Sequence, residues 1–100
     1  MIIIIGRAEF DPARLPDLEP ALDAMMRATW EESGCLSYSI AIESREHGVC
    51  TIVERWKDES DLKAHFDSPH MAAFNAAVLG AVRSVDVKMY DVTNERALAL

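Results

Sequence analysis

An α+β domain with the order strand, helix, strand, strand, helix, strand is predicted by three observations. A β-branched run opens the chain at residues 2–5, two alternating apolar stretches at 35–43 and 49–56 flank the polar turn Ser44-Arg45-Glu46-His47-Gly48, and two segments with helical spacing separate these from each other and from a last alternating stretch at 83–93. This is the ferredoxin-like split βαβ arrangement, a four-stranded antiparallel sheet whose right-handed crossovers put the helices on one face. One hundred residues make one domain, with a core at about 1–93 and a short tail at 94–100.

Residues 1–10 run near-continuously apolar and then alternate, which suits a strand inside the sheet rather than at its edge. Asp11-Pro12 ends it. Asp17 is the expected N-cap of the first helix, with Pro20 tolerated in the first turn, and Leu18, Leu22, Met25, Met26 and Thr29 form its buried stripe up to about Ser33. Gly34 is the expected C-terminal stop.

On parity, Leu36, Tyr38, Ile40 and Ile42 share one face of the second strand, and Cys50, Ile52, Glu54 and Trp56 share one face of the third. Register follows from matching these faces, since a one-residue slip would turn one of them over. A loop of about five residues then sets Tyr38 opposite Glu54 and Leu36 opposite Trp56, at the ~4.5–5.5 Å Cβ spacing of cross-strand partners. A tyrosine and a carboxylate therefore meet on an otherwise apolar face. Cys35 and Cys50 fall out of step along the two strands, which argues against a disulfide.

Asp58 caps the next helix, where Leu62, His65 and Phe66 stand at i, i+3 and i+4, so His65 points with two core residues. Ser68-Pro69 restarts the helix, which carries Phe74, Ala77 and Val78 toward a stop at Gly80. Val85, Val87 and Met89 line one side of a half-buried final strand. The opposite sheet face, with Ile3, Ile5, Val49 and Val53, is too apolar for water and implies a two-fold homodimer with sheets face to face.

The net charge of −7 speaks against nucleic acid and anionic membrane as partners. The opening apolar run is shorter than the ~7–15 residues of a signal segment, and no stretch approaches the ~20 apolar residues of a membrane span, so a cytoplasmic protein is expected. No glycine-rich phosphate loop appears.

Glu32-Ser-Gly-Cys-Leu-Ser-Tyr38, Val53-Glu54-Arg55-Trp56-Lys57-Asp58, and Ala64-His65 followed by Ser68-Pro69-His70 resemble, in order and spacing, the antibiotic biosynthesis monooxygenase family of the dimeric α+β barrel superfamily. The resemblance implies a pocket between helices and sheet in each protomer. The haem-degrading branch differs at the positions that matter: its helical tryptophan aligns with His65, its haem-ligating histidine with Asn75, and strand 1 holds no asparagine. The quinol monooxygenase-like group is the nearest reading. It implies oxidation of a small hydroxylated aromatic by molecular oxygen, without cofactor.

On that reading His65 is a general base, for which its ~6.5 reference pKa is suited, and Glu54 orients it. The bland reading is a core histidine bonded to Glu54 or to backbone, and a carboxylate satisfied by Tyr38 or by a partner chain. Tyr38, Trp56, Phe66, His70 and Phe74 are the expected substrate-contacting residues, with packing as the alternative for Tyr38 and Trp56 and helix-start packing for His70. His65 and His70 are five apart across a proline, off the i, i+3 or i+4 spacing of paired ligands on one helix, and no third ligand lies near in sequence, so no metal is expected. A non-catalytic ligand-binding or regulatory dimer would use the same pocket and need no base.

Overall fold

A computed structural model describes residues 1–100. Its elements are β1 (Ile2–Phe10), α1 (Leu15–Trp30), β2 (Cys35–Ser44), β3 (Val49–Trp56), α2 (Glu59–Phe66), α3 (Pro69–Val78) and β4 (Val82–Asp91). The strands form one sheet in the order β2-β3-β1-β4 with antiparallel neighbours throughout, the expected ferredoxin-like α+β fold. β1 is a central strand, as its apolar run requires. Ile2, Ile4, Ala8 and Phe10 on its inner face join Leu15, Leu18, Leu22 and Met25 of α1 in one core with Trp56 and Leu62.

The hairpin register holds where it matters. Tyr38 pairs with Glu54, Ile40 with Ile52 and Ile42 with Cys50, and Gly48 turns the chain with φ 71°. A side chain at Gly48 would also meet the Phe10 carbonyl, which accepts no such contact at 2.0 Å from a Cβ. The Leu36–Trp56 pairing does not form. A bulge sets Cys35 and Leu36 against Trp56, Cys35 becomes its partner, and Leu36 is left largely exposed. Cys35 and Cys50 are free thiols.

The first helix starts earlier and ends earlier than its sequence pattern predicts. Its first residue is Leu15, with Arg14 at the cap making no side-chain bond and Pro16 in the first turn. Asp11 replaces the missing cap upstream, accepting from the Ala13 amide through its side chain and from the Arg14 amide through its carbonyl. Asp17 therefore lies inside the first turn, where its charge suits the helix dipole, and Pro20 lies in the helix interior. At the far end α1 closes on Glu31 in right-handed geometry. Gly34 is not a left-handed cap: a Cβ there would come within 2.1 Å of the Asp61 side chain, so glycine serves a close approach between the turn and α2.

The second crossover is broken into α2 and α3 as Ser68-Pro69 predicts. Asp58 Oδ1 accepts from the Asp61 amide at 2.9 Å, and Ser68 Oγ accepts from the Met71 amide at 3.2 Å. Gly80, with φ 81°, follows the end of α3. Phe66 departs from expectation. It is 54% exposed, because Leu62 and His65 take the buried line of the eight-residue α2 and no element covers the flank one residue on.

β4 is also less covered than a half-buried strand. Val85 and Met89 pair with Ala8 and Ile4 and so lie on the helix side of the sheet, yet both are exposed, since β4 is an edge strand and α1 packs against β2 at the opposite edge. On the outer face Ile5, Val53 and Tyr90 form an exposed apolar patch. No helix is long and apolar enough to cross a membrane.

Candidate functional site

Between the sheet and helices α1 and α3 lies a cavity of about 290 Å³, close to the ~300 Å³ lower end of ligand sites. Phe10, Met25, Ile40, Met71, Phe74 and Val78 supply apolar walls, and only Tyr38, Glu54 and Asn75 bring polar groups. Other depressions of similar volume, such as those beside Glu19 and Arg45 or Arg7 and Asp86, are more open to solvent and carry surface charges in their walls. The inner cavity combines enclosure with a few convergent polar groups.

Glu54 is the unusual group in that wall. It is buried at 8% exposure, and its Oε1 accepts from Trp56 Nε1 at 2.9 Å. Burial pushes its carboxyl above the usual 4.5, while the Trp56 hydrogen bond and the nearby His65 pull the other way. Opposite it, burial foremost and then the Glu54 charge push the Tyr38 phenol well above its usual 10, so Tyr38 stays a neutral donor.

A carboxyl whose proton is held more tightly in the folded chain adds stability below its unfolded value and loses it as pH rises through the folded value. Glu54→Gln, which keeps an acceptor for Trp56, is therefore expected to gain on the wild type as pH is raised from about 4 to about 8. Urea midpoints across that range check this; parallel curves for the two proteins would contradict it.

His65 stands behind this wall rather than in it. It is 1% exposed, its ring centroid lies 4.9 Å from that of Trp56 and 5.3 Å from that of Tyr38, and it is absent from the cavity lining. Its hydrogen-bond partner is neither Glu54 nor backbone. Nδ1 meets Glu32 Oε2 at 2.7 Å, and His70 Nε2 meets the same oxygen at 2.8 Å.

Glu32 is the residue sequence reasoning missed, although it opens the Glu32-to-Tyr38 stretch. It sits in the turn between α1 and β2, where its amide donates to the Thr29 carbonyl and its carbonyl accepts from the Cys35 amide. The turn is tied to the link between β3 and α2 by the Lys57 amide, which donates to the Gly34 carbonyl. Ser68 Oγ donates to the His65 carbonyl at 2.6 Å and ties α2 to α3 across the break.

That break corrects the spacing argument. Five residues separate His65 and His70 badly on one continuous helix, but the bend at Asp67 and Ser68 brings their rings to 5.6 Å, and Glu32 supplies a third donor that sequence distance concealed. Of the expected substrate-contacting residues, Tyr38 and Phe74 line the cavity, and Asn75, aligned earlier with a haem ligand, lines it too. Trp56 is fully buried behind Glu54, His70 lies beside a smaller cleft of about 100 Å³ with Ala24 and Phe74, and Phe66 faces solvent against the His65 ring.

Comparison with known proteins adds a family. Residues 1–77 match the family model described as antibiotic biosynthesis monooxygenase. Rv0793 of Mycobacterium tuberculosis, named provisionally as a monooxygenase, is 34% identical over 77 residues, covering 77% of this chain and 75% of its own. The probable quinol monooxygenase YgiN of Escherichia coli K12 is 27% identical over 59% of this chain and 64% of its own length. The solved structure of Rv0793 superposes with a TM-score of 0.82 at 31% identity over 96% of this chain and 98% of its own. A Deinococcus radiodurans structure at 21% identity gives 0.85 over 99% of both chains, a likeness of fold.

Proposed function

The chain belongs to the antibiotic biosynthesis monooxygenase family, and from that premise we propose that its inner cavity oxidises a small hydroxylated aromatic or quinol with molecular oxygen, without a cofactor. The observation that carries this reading is the pairing of Glu54 with Tyr38 in a cavity whose walls are apolar apart from these two and Asn75. An electron-rich phenol needs only to lose its proton to become a one-electron donor to oxygen. A buried carboxylate with raised proton affinity is matched to that step.

The roles divide as follows. Glu54 takes the phenolic proton, and Trp56 Nε1 holds that carboxylate in place. The phenolate passes one electron to oxygen, the two radicals join through a carbon–oxygen bond, and the resulting hydroperoxide loses water. For a methylene carbon the sum is CH2 plus O2 giving C=O plus H2O, so the substrate supplies every electron. Tyr38 donates a hydrogen bond to the oxygen species as negative charge develops on it, and the apolar walls exclude water. His65, behind the wall, positions Trp56 and Tyr38 rather than taking the proton itself.

The exposed Ile5, Val53 and Tyr90 patch supports a homodimer through the outer sheet face, as the resemblance implies. Oxygen uptake with a panel of hydroquinones and anthrones tests the reading. Turnover above the spontaneous rate is expected; compounds that raise the melting temperature but are never consumed in air would point to a binding module instead.

A further inference from the structure

Outside the cavity, Glu32, His65 and His70 bring three donor atoms within 4.8 Å of one another. None of the three lines the apolar cavity. We propose that these residues form a binding site for a divalent transition-metal ion of the zinc class, held by Glu32 Oε2, His65 Nδ1 and His70 Nε2 and clamping the α1–β2 turn to α2 and α3. This does not rest on the oxygenase reading.

Four features carry it. The donor set, two imidazoles and one carboxylate, is one that zinc and its neighbours take in sites that leave a coordination position open. The two nitrogens already converge on a single oxygen at 2.7 and 2.8 Å. Donors bonded to one ion at ~2.0–2.2 Å stand about 3.3 Å apart in a tetrahedron, so entry of an ion spreads these contacts by only about half an ångström.

The donors are also held before any ion arrives. Glu32 is locked in its turn by backbone bonds on both sides, His65 is enclosed by Trp56 and Tyr38, and His70 follows the Ser68 cap and Pro69 in the first turn of α3. Such preorganisation spares the ion the ordering that surface histidines would require.

The local charge favours a cation as well. Glu32 has no lysine or arginine partner; its only ion-pair contacts are the two histidines. His70 and Glu32 keep 22% and 19% of their side chains exposed, a route in from solvent, whereas His65 is closed off.

Cobalt(II) titration of the untagged, chelator-treated protein tests the site, read by visible d–d absorption. One equivalent is expected to bind, with an affinity at least tenfold weaker in His70→Ala and in Glu32→Gln and unchanged in His47→Ala, the remaining histidine. Far-UV circular dichroism of each variant separates ligand loss from unfolding, and His70→Ala, at the partly exposed member, is the variant least exposed to that risk. Absence of a cobalt spectrum at millimolar metal overturns the proposal. So does binding that survives both His70→Ala and Glu32→Gln in folded protein, since the ion would then sit elsewhere.

Discussion

Glu54→Gln is expected to lower kcat for oxygen-dependent quinol turnover by roughly 10²–10⁴, the usual contribution of a positioned general base. The substitution is nearly isosteric and keeps an acceptor for Trp56 Nε1, so the wall retains its shape while losing its proton acceptor. Its effect on stability runs the other way, because a buried carboxylate above its raised pKa is a cost that glutamine lacks. Loss of turnover in a protein that is as stable as the wild type or more so at neutral pH is a signature that a merely structural glutamate would not give. Initial rates by oxygen electrode, paired with urea midpoints, make the comparison; unchanged kcat would remove Glu54 from the chemistry.

Trp56→Ala is expected to cost about 3–5 kcal/mol of folding free energy, the range for emptying a fully buried aromatic site. Trp56 has no exposed surface, packs on the His65 ring and edge-on to Tyr38, and donates the hydrogen bond that satisfies Glu54. In a domain whose total stability lies at ~5–15 kcal/mol, that loss populates unfolded chain under mild denaturant. Trp56→Phe restores most of the packing but not the donor, so it should recover much of the stability and leave Glu54 unpartnered. Urea unfolding of the three proteins separates the packing from the hydrogen bond. A cost below about 1 kcal/mol for Trp56→Ala would mean that the aromatic stack does not hold this wall.

The sheet was legible in the chain because strand parity and a five-residue loop leave one register that buries both apolar faces, and that register alone set Tyr38 across from Glu54. Caps at Asp58 and Ser68 were legible for the same local reason, a side-chain oxygen within reach of a free amide. The errors came where local rules compete. Asp17 is a good cap by type, but burying Leu15 starts the helix earlier, and Leu36 fits the strand parity until a bulge removes it.

The site was half legible. Tyr38, Glu54 and Phe74 reach the cavity through their own elements, so pattern finds them. Glu32 does not: it meets His65 across 33 positions of sequence and His70 across 38, through a turn and a helix break whose angle no periodicity encodes. Phe66 shows the converse, an apolar residue at proper helical spacing that no neighbouring element comes to cover.

The central claim, that chemistry happens in the cavity against Glu54, is met most directly by oxygen uptake with and without a plug in that cavity. Val85 lines it from the exposed edge strand, so Val85→Trp can fill its rim without disturbing the buried core. The wild type is expected to consume oxygen with at least one hydroquinone or anthrone well above the spontaneous rate, and folded Val85→Trp to lose most of that rate. Uptake no faster than in buffer, or a rate the tryptophan leaves untouched, would contradict it.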